Sequence, residues 1–100
     1  MIIYNVTVNV EDAIHLEWLE WMQTTHIKEV VATGYFTSHR ICKVLGTEDT
    51  GTTYAIQYFC PSLEEFHKYE QTQAPRLRQV AIDKFQNQFV AFRTLLEVVE

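Results

Sequence analysis

Glycine is scarce, at three residues in 100. Loops that cradle phosphates need clustered glycines, and the chain has no GxGxxG, no Walker-type loop and no GxSxG nucleophile elbow. Basic residues are few as well: eight Lys and Arg are scattered among thirteen Asp and Glu, for a formal net charge of −5. Nucleic-acid binding rests on clustered Lys and Arg that neutralise phosphates, so nucleic acid is not an expected partner. An anionic membrane surface is disfavoured for the same reason. No apolar run approaches the ~20 residues of a membrane span. Met1-Ile2-Ile3-Tyr4-Asn5-Val6 lacks the basic region of a signal peptide and alternates like a strand. The two cysteines, Cys42 and Cys60, have no CxxC spacing. They read as reduced, in-strand thiols of a cytoplasmic protein.

Apolar matter is abundant: hydrophobic residues make up 47% of the chain and thirteen residues are aromatic. One domain over residues 1–100 with a single core is expected. Thirteen aromatics exceed the needs of a thin core, so some are expected to line a cleft or a subunit interface.

Ile2, Tyr4, Val6, Val8 and Val10 alternate with Ile3, Asn5, Thr7 and Asn9, the period of a half-buried strand. Glu11 and Asp12 open a helix at its positive end. Ile14, Trp18, Trp21 and Met22 form one helical stripe, whereas Ile27, Val30 and Val31 lie roughly opposite at ~100° per residue. The phase therefore breaks near Thr24-Thr25-His26, which predicts two helical segments joined by a kink or short turn. Gly34 is the expected left-handed cap. A second strand is predicted from Tyr35 to about Leu45, turn chemistry from Gly46 to Gly51, and a third strand from Thr52 to Cys60. Ser62-Leu63-Glu64-Glu65 after Pro61 is a capping box. Leu63, Phe66, Glu70, Ala74, Leu77, Ala81 and Phe85 then hold one stripe straight through Pro75. That continuity predicts one kinked helix, with two helices meeting at Pro75 as the alternative. Phe89 to Val99 alternates as a fourth strand. The order strand, helix, strand, strand, helix, strand predicts an α+β sandwich: a four-stranded antiparallel sheet with helices on one face.

Four histidines, His15, His26, His39 and His67, show no ligand spacing and fall on different elements, so no metal site is expected. His26 stands apart because it sits at the helix break beyond two tryptophans. It can cap free amides there, or point between helix and sheet as a general base. Trp18 and Trp21 read as core or as a lid over a flat apolar ligand. The third strand places Tyr54, Ile56 and Tyr58 on one face and Thr53, Ala55, Gln57 and Phe59 on the other. With Asn5 and Thr7 the latter face is polar, which suits a network in a dimer interface, a wet cleft or solvent exposure. Arg40 and Arg93 are strand arginines among apolar neighbours, placed to pair with a carboxylate of the chain or to anchor an acidic ligand.

Several stretches carry a family resemblance: Met1 to Thr7, Trp18-Leu19-Glu20-Trp21-Met22 with His26-Ile27, and Thr33-Gly34-Tyr35-Phe36. So do Gly51-Thr52-Thr53-Tyr54, Gln57-Tyr58-Phe59 and the closing Phe89 to Leu96. The whole chain resembles a bacterial family of unknown function in the dimeric α/β-barrel superfamily, with the antibiotic-biosynthesis monooxygenases and muconolactone isomerases. The resemblance implies a ferredoxin-like monomer, pairing sheet to sheet with a second copy, and a ligand cleft between sheet and helices. Lys28 stands where that family carries a proline after its His-Ile pair, so the break at His26 is less enforced here.

Two function classes follow, both without metal or organic cofactor. One is a dimer that binds a small aromatic or acidic metabolite without catalysis, with Trp18, Trp21, Tyr54, Gln57 and Arg93 about the ligand. The other is a monooxygenase-like or isomerase-like enzyme, in which His26 takes a proton and Tyr58 or Arg40 stabilises the negative charge that develops.

Overall fold

A computed structural model of the chain describes residues 1–46 and 50–100. The centre of the expected turn between Gly46 and Gly51 (residues 47–49) lies outside the described residues. Strands β1 (Ile2–Val10), β2 (Ser38–Lys43), β3 (Thr52–Cys60) and β4 (Phe89–Glu97) form one sheet in the order β2-β3-β1-β4. Every neighbouring pair is antiparallel. This is the ferredoxin-like arrangement, with β1 and β3 at the centre.

The register decides which residues meet. Tyr4 stands opposite Tyr58 on β3 and Leu95 on β4, and Val6 stands opposite Ile56 and Arg93. Since side chains alternate along a strand, Tyr4, Val8, Tyr54, Ile56 and Tyr58 share one face. All five are buried there under the helices. The other face carries Asn5, Thr7, Gln57, Arg40 and Phe92. Eight of the thirteen aromatics are buried, so most of the aromatic surplus builds the core itself. Tyr4 is its hub, with ring centres of Phe66 at 5.0 Å, Tyr58 at 5.9 Å and Tyr69 at 6.1 Å.

A short 3-10 turn at Asp12–Ile14 leads into α1 (His15–Trp21). The expected kink is not a break. Met22–His26 is a π-helical turn that runs directly into α2 (Ile27–Ala32), with Ile27 N–H donating to the Met22 carbonyl five residues back. One residue too many is held within a continuous helix, which retards the phase by about one residue's 100°. Trp18 and Met22 before the turn, and Ile27 and Val30 after it, are thereby all buried. Thr24 Oγ donates to the Glu20 carbonyl at 2.8 Å, serving an acceptor at the edge of the widened turn. Gly34 has φ +88° and donates to the Val31 carbonyl, ending the helix as expected.

Several boundaries differ from the sequence reading: β2 ends at Lys43 and β4 at Glu97, and two further differences have a packing cause. Phe36 is buried and packs edge-on against Tyr69 at 4.7 Å, which turns Tyr35 and Phe36 toward the helices; Thr37 N–H still donates to the Phe59 carbonyl at 2.8 Å, and β2 starts at Ser38. The long second helix is two: α3 (Leu63–Thr72) and α4 (Ala74–Lys84) meet at Gln73. Pro75 lies in the first turn of α4, where its missing N–H costs no hydrogen bond. Phe66, Ala74, Leu77 and Phe85 are nonetheless all buried. Ser62 caps α3 by accepting from Glu65 N–H at 3.2 Å.

Candidate functional site

A cavity of about 220 Å³ lies between the sheet and the helices. Its floor is the helix-facing side of the sheet: Tyr4, Val6, Val8, Ile56 and Tyr58, with Phe89, Ala91 and Arg93 from β4. Trp18, Met22, His26 and Val30 wall one side; Tyr69, Leu77, Arg78, Ala81 and Ile82 wall the other. Ile82 and Arg93 are the exposed members of this lining, so the cavity opens between α4 and β4. Most of the wall is apolar. Its polar groups are one imidazole, three phenols and two guanidinium groups.

The imidazole owes its position to the π-helical turn. His26 stacks on the Trp21 ring with centres 4.7 Å apart, and Trp21 in turn meets Phe85 edge-on at 5.5 Å. His26 is only 9% exposed, and its Nδ1 is buried without a hydrogen-bond partner among the described residues. Burial pushes its pKa down to about 4, so the ring is neutral at physiological pH. Burial also raises the Tyr58 hydroxyl, with the neighbouring Tyr69 and Tyr4 adding to the effect, so Tyr58 stays a protonated donor.

The guanidinium groups converge on one oxygen. Arg78 Nη2 donates to Tyr4 Oη at 3.3 Å, and Arg93 Nε donates to the same oxygen at 3.1 Å. Arg78 also lies 3.8 Å from a Glu70 carboxylate, while its Nε is buried without a partner among the described residues. No three His, Cys, Asp or Glu residues among the described residues are grouped so as to hold a metal ion.

The residues singled out from sequence are thus divided. His26, Tyr58, Trp18 and Arg93 line the cavity. Trp21 stands behind His26. Tyr54 lies beneath Trp18, with ring centres 5.2 Å apart, and its hydroxyl meets His15 Nδ1 at 3.0 Å. Arg40 and Gln57 are on the opposite face of the sheet, bonded to each other at 2.7 Å, so neither reaches the cavity. The alternation of β3 already separated Gln57 from Tyr58, but the phase of β2 was obscured by the misplaced strand start. Arg78 was overlooked. It follows the core residue Leu77 and precedes Ala81 by three positions, which places it on the flank of the buried stripe.

A model of the family described as a domain of unknown function, DUF4286, matches residues 1–99. The chain belongs to this family. Among curated proteins, none is similar to this chain. Solved structures share the fold of this DUF4286 chain. A candidate antibiotic biosynthesis monooxygenase from Deinococcus radiodurans is 19% identical, with TM-score 0.66, over 100% of this chain and 94% of that one. A mutant of SnoaB, a cofactor-independent oxygenase from Streptomyces nogalater, is 11% identical, with TM-score 0.67, over 99% and 93%. A dimeric ferredoxin-like protein of unknown function from Thermobifida fusca is 15% identical, with TM-score 0.57, over 96% and 92%. At such identities the likeness establishes the fold and no activity.

Proposed function

We propose that residues 1–100 form one domain that binds a small aromatic or acidic metabolite in this cavity, as a homodimer joined through the exposed sheet faces. The reading is carried by the cavity itself: about 220 Å³ of largely apolar space walled in part by the buried, neutral imidazole of His26. The dimer is supported by the outer face, where Val90, Phe92 and Leu96 are exposed on β4, and by the dimeric state named for the Thermobifida relative. Both cysteines are free thiols, in keeping with a reducing, cytoplasmic setting. A thermal-shift screen of small aromatic and acidic metabolites tests the ligand. A true ligand at 100 times its dissociation constant adds ~2.7 kcal/mol of stability to the wild type and little to a Val8→Trp protein whose cavity is filled. Equal shifts in both proteins would refute the cavity as the site.

A second reading, catalysis, is favoured by His26 and Tyr58 lining the same cavity. A neutral imidazole can accept a proton from an enolisable carbon, leaving an enolate that the Tyr58 hydroxyl stabilises. Arg40, on the far face, has no part in it. Deuterium exchange into such a ligand, followed by NMR and lost in His26→Leu, separates this enzyme from a passive binder.

A further inference from the structure

The geometry points to a carboxylate subsite at the mouth of the cavity, where Arg78 of α4 and Arg93 of β4 grip the acid end of a single-ring carboxylic acid. This rests on the cavity being a ligand site and specifies which chemistry enters it. Four observations on this structure converge.

The first is charge. Two of the chain's four arginines donate to one neutral oxygen, Tyr4 Oη, at 3.3 and 3.1 Å. A phenol cannot neutralise two cations. Glu70 lies 3.8 Å from Arg78 but is half exposed, and no carboxylate of the described residues comes within ion-pair distance of Arg93. In a chain of net charge −5, two guanidinium groups here face a single half-exposed carboxylate.

The second is unused bonding capacity. Arg78 Nε is buried without a partner among the described residues. A guanidinium edge offers two parallel N–H groups that match a carboxylate's two oxygens, and Arg78 is held only by a long hydrogen bond to Tyr4 at 3.3 Å and a half-exposed Glu70 at 3.8 Å. Because Tyr4 accepts from both arginines, its own hydroxyl hydrogen remains free to donate to the same anion.

The third is position. Arg93 is exposed and Arg78 partly so, on the side where the cavity opens, while the deeper wall of Val6, Val8, Ile56 and Leu77 is apolar. An acid group at the mouth keeps part of its hydration, while the body behind it gives up apolar surface to the wall.

The fourth is size. A cavity on the order of 150 Å³ accepts benzene, so about 220 Å³ accommodates one substituted ring and little more.

Isothermal titration calorimetry with benzoate, benzamide and phenol at neutral pH tests this. Benzamide keeps the shape of benzoate and removes its charge. The wild type is expected to bind benzoate at least tenfold more tightly than benzamide. Arg78→Met and Arg93→Met should each erase that preference while phenol binding persists, and Arg78→Lys should retain part of it. The comparison within the wild type needs no variant to fold. Equal affinities for benzoate and benzamide, or phenol binding with benzoate excluded, would overturn the acid subsite and leave the cavity reading standing. Binding of none of the three would overturn both.

Discussion

The Trp21 and His26 rings stack 4.7 Å apart and 20° from parallel, although they are five residues apart in sequence. In a regular α-helix that separation places side chains about 140° apart around the axis. The π-helical turn at Met22–His26 removes most of this offset and brings the imidazole over the indole. The π-helical turn therefore holds a polar ring where an unmodified helix would turn it away from Trp21. Burial alone accounts for the lowered pKa of this ring.

Acid should destabilise the protein through this residue. Burial lowers the His26 pKa from 6.5 to about 4 in the folded state. As pH falls below 6.5 the unfolded chain takes up a proton that the folded chain refuses until about 4, so stability drops across that window. The shift corresponds to a loss of about 3 kcal/mol, complete near the lower limit. Urea unfolding at steps between pH 7.5 and 4 measures it. The His26→Leu protein should lose less stability over the same range, and identical pH slopes for the two proteins would refute the assignment.

Removing one residue should straighten the helix. Thr24 is exposed within the π-helical turn, and its side chain bonds only locally, to the Glu20 carbonyl and to Thr25. Its deletion lets an α-helix run from His15 to Val31, and the phase advance of about 100° keeps Ile27 and Val30 facing the sheet. The deletion variant should fold with a loss of at most ~2 kcal/mol and keep the His26–Trp21 stack, because the two rings then stand four residues apart, about 40° around the axis. Near-ultraviolet circular dichroism reports the surroundings of Trp21, and loss of its signal in a folded variant would refute this account of the helical phase.

The strands were legible because their period is two and their partners are aligned: β1 and β3 match the alternation of Ile2 to Val10 and the run Thr52 to Cys60. The first helix was legible as a conflict, since a regular helix sets Trp18 and Ile27 about 180° apart and cannot bury both against one sheet. Its resolution was not legible. A kink and an inserted residue leave the same phase error, and only backbone hydrogen bonding distinguishes them. Pro75 misled in the other direction, because α3 and α4 bury Phe66 and Leu77 on a common side whether or not the helix is continuous. The candidate site was half visible. His26 carried a local signal in that phase break, whereas Arg78 and Tyr4 meet across 74 positions and share no sequence pattern.

A methyl group at Gly51 should be poorly tolerated. Gly51 has φ +84°, and a Cβ there would stand 2.7 Å from Asn9 Oδ1 and 2.8 Å from the Val10 carbonyl. Asn9 cannot easily yield, since its Nδ2 donates to the Thr50 carbonyl at 2.9 Å and to Thr53 Oγ at 3.0 Å. The left-handed backbone alone costs a non-glycine residue ~1–2 kcal/mol, and the collision adds to it. Gly51→Ala should therefore lower stability by about 3 kcal/mol in denaturant unfolding. Gly34→Ala, with nothing within 4 Å, should incur only the backbone part. Equal losses at the two sites would contradict this packing.

The outer sheet face makes the assembly testable through Phe92. Its ring is 67% exposed, beside Val90 at 56% and Leu96 at 40%. The centre of the same face is a hydrogen-bonded row in which Arg40 donates to Gln57, Gln57 to Asn5 and Asn5 to Thr7, at 2.7, 3.2 and 3.0 Å. Arg40 uses only its Nε–H in that row, so a copy covering this face must offer acceptors to the remaining guanidinium N–H groups or leave them at the wet rim. In a two-fold dimer each Phe92 is buried once by each copy, so one substitution removes two rings' worth of apolar burial, about 3–5 kcal/mol in total. Phe92→Arg should convert a micromolar dimer into a monomer of unchanged fold, read by light scattering and circular dichroism. A wild-type protein already monomeric at that concentration would refute the dimer, and a dimer that survives Phe92→Arg would move the interface to another surface.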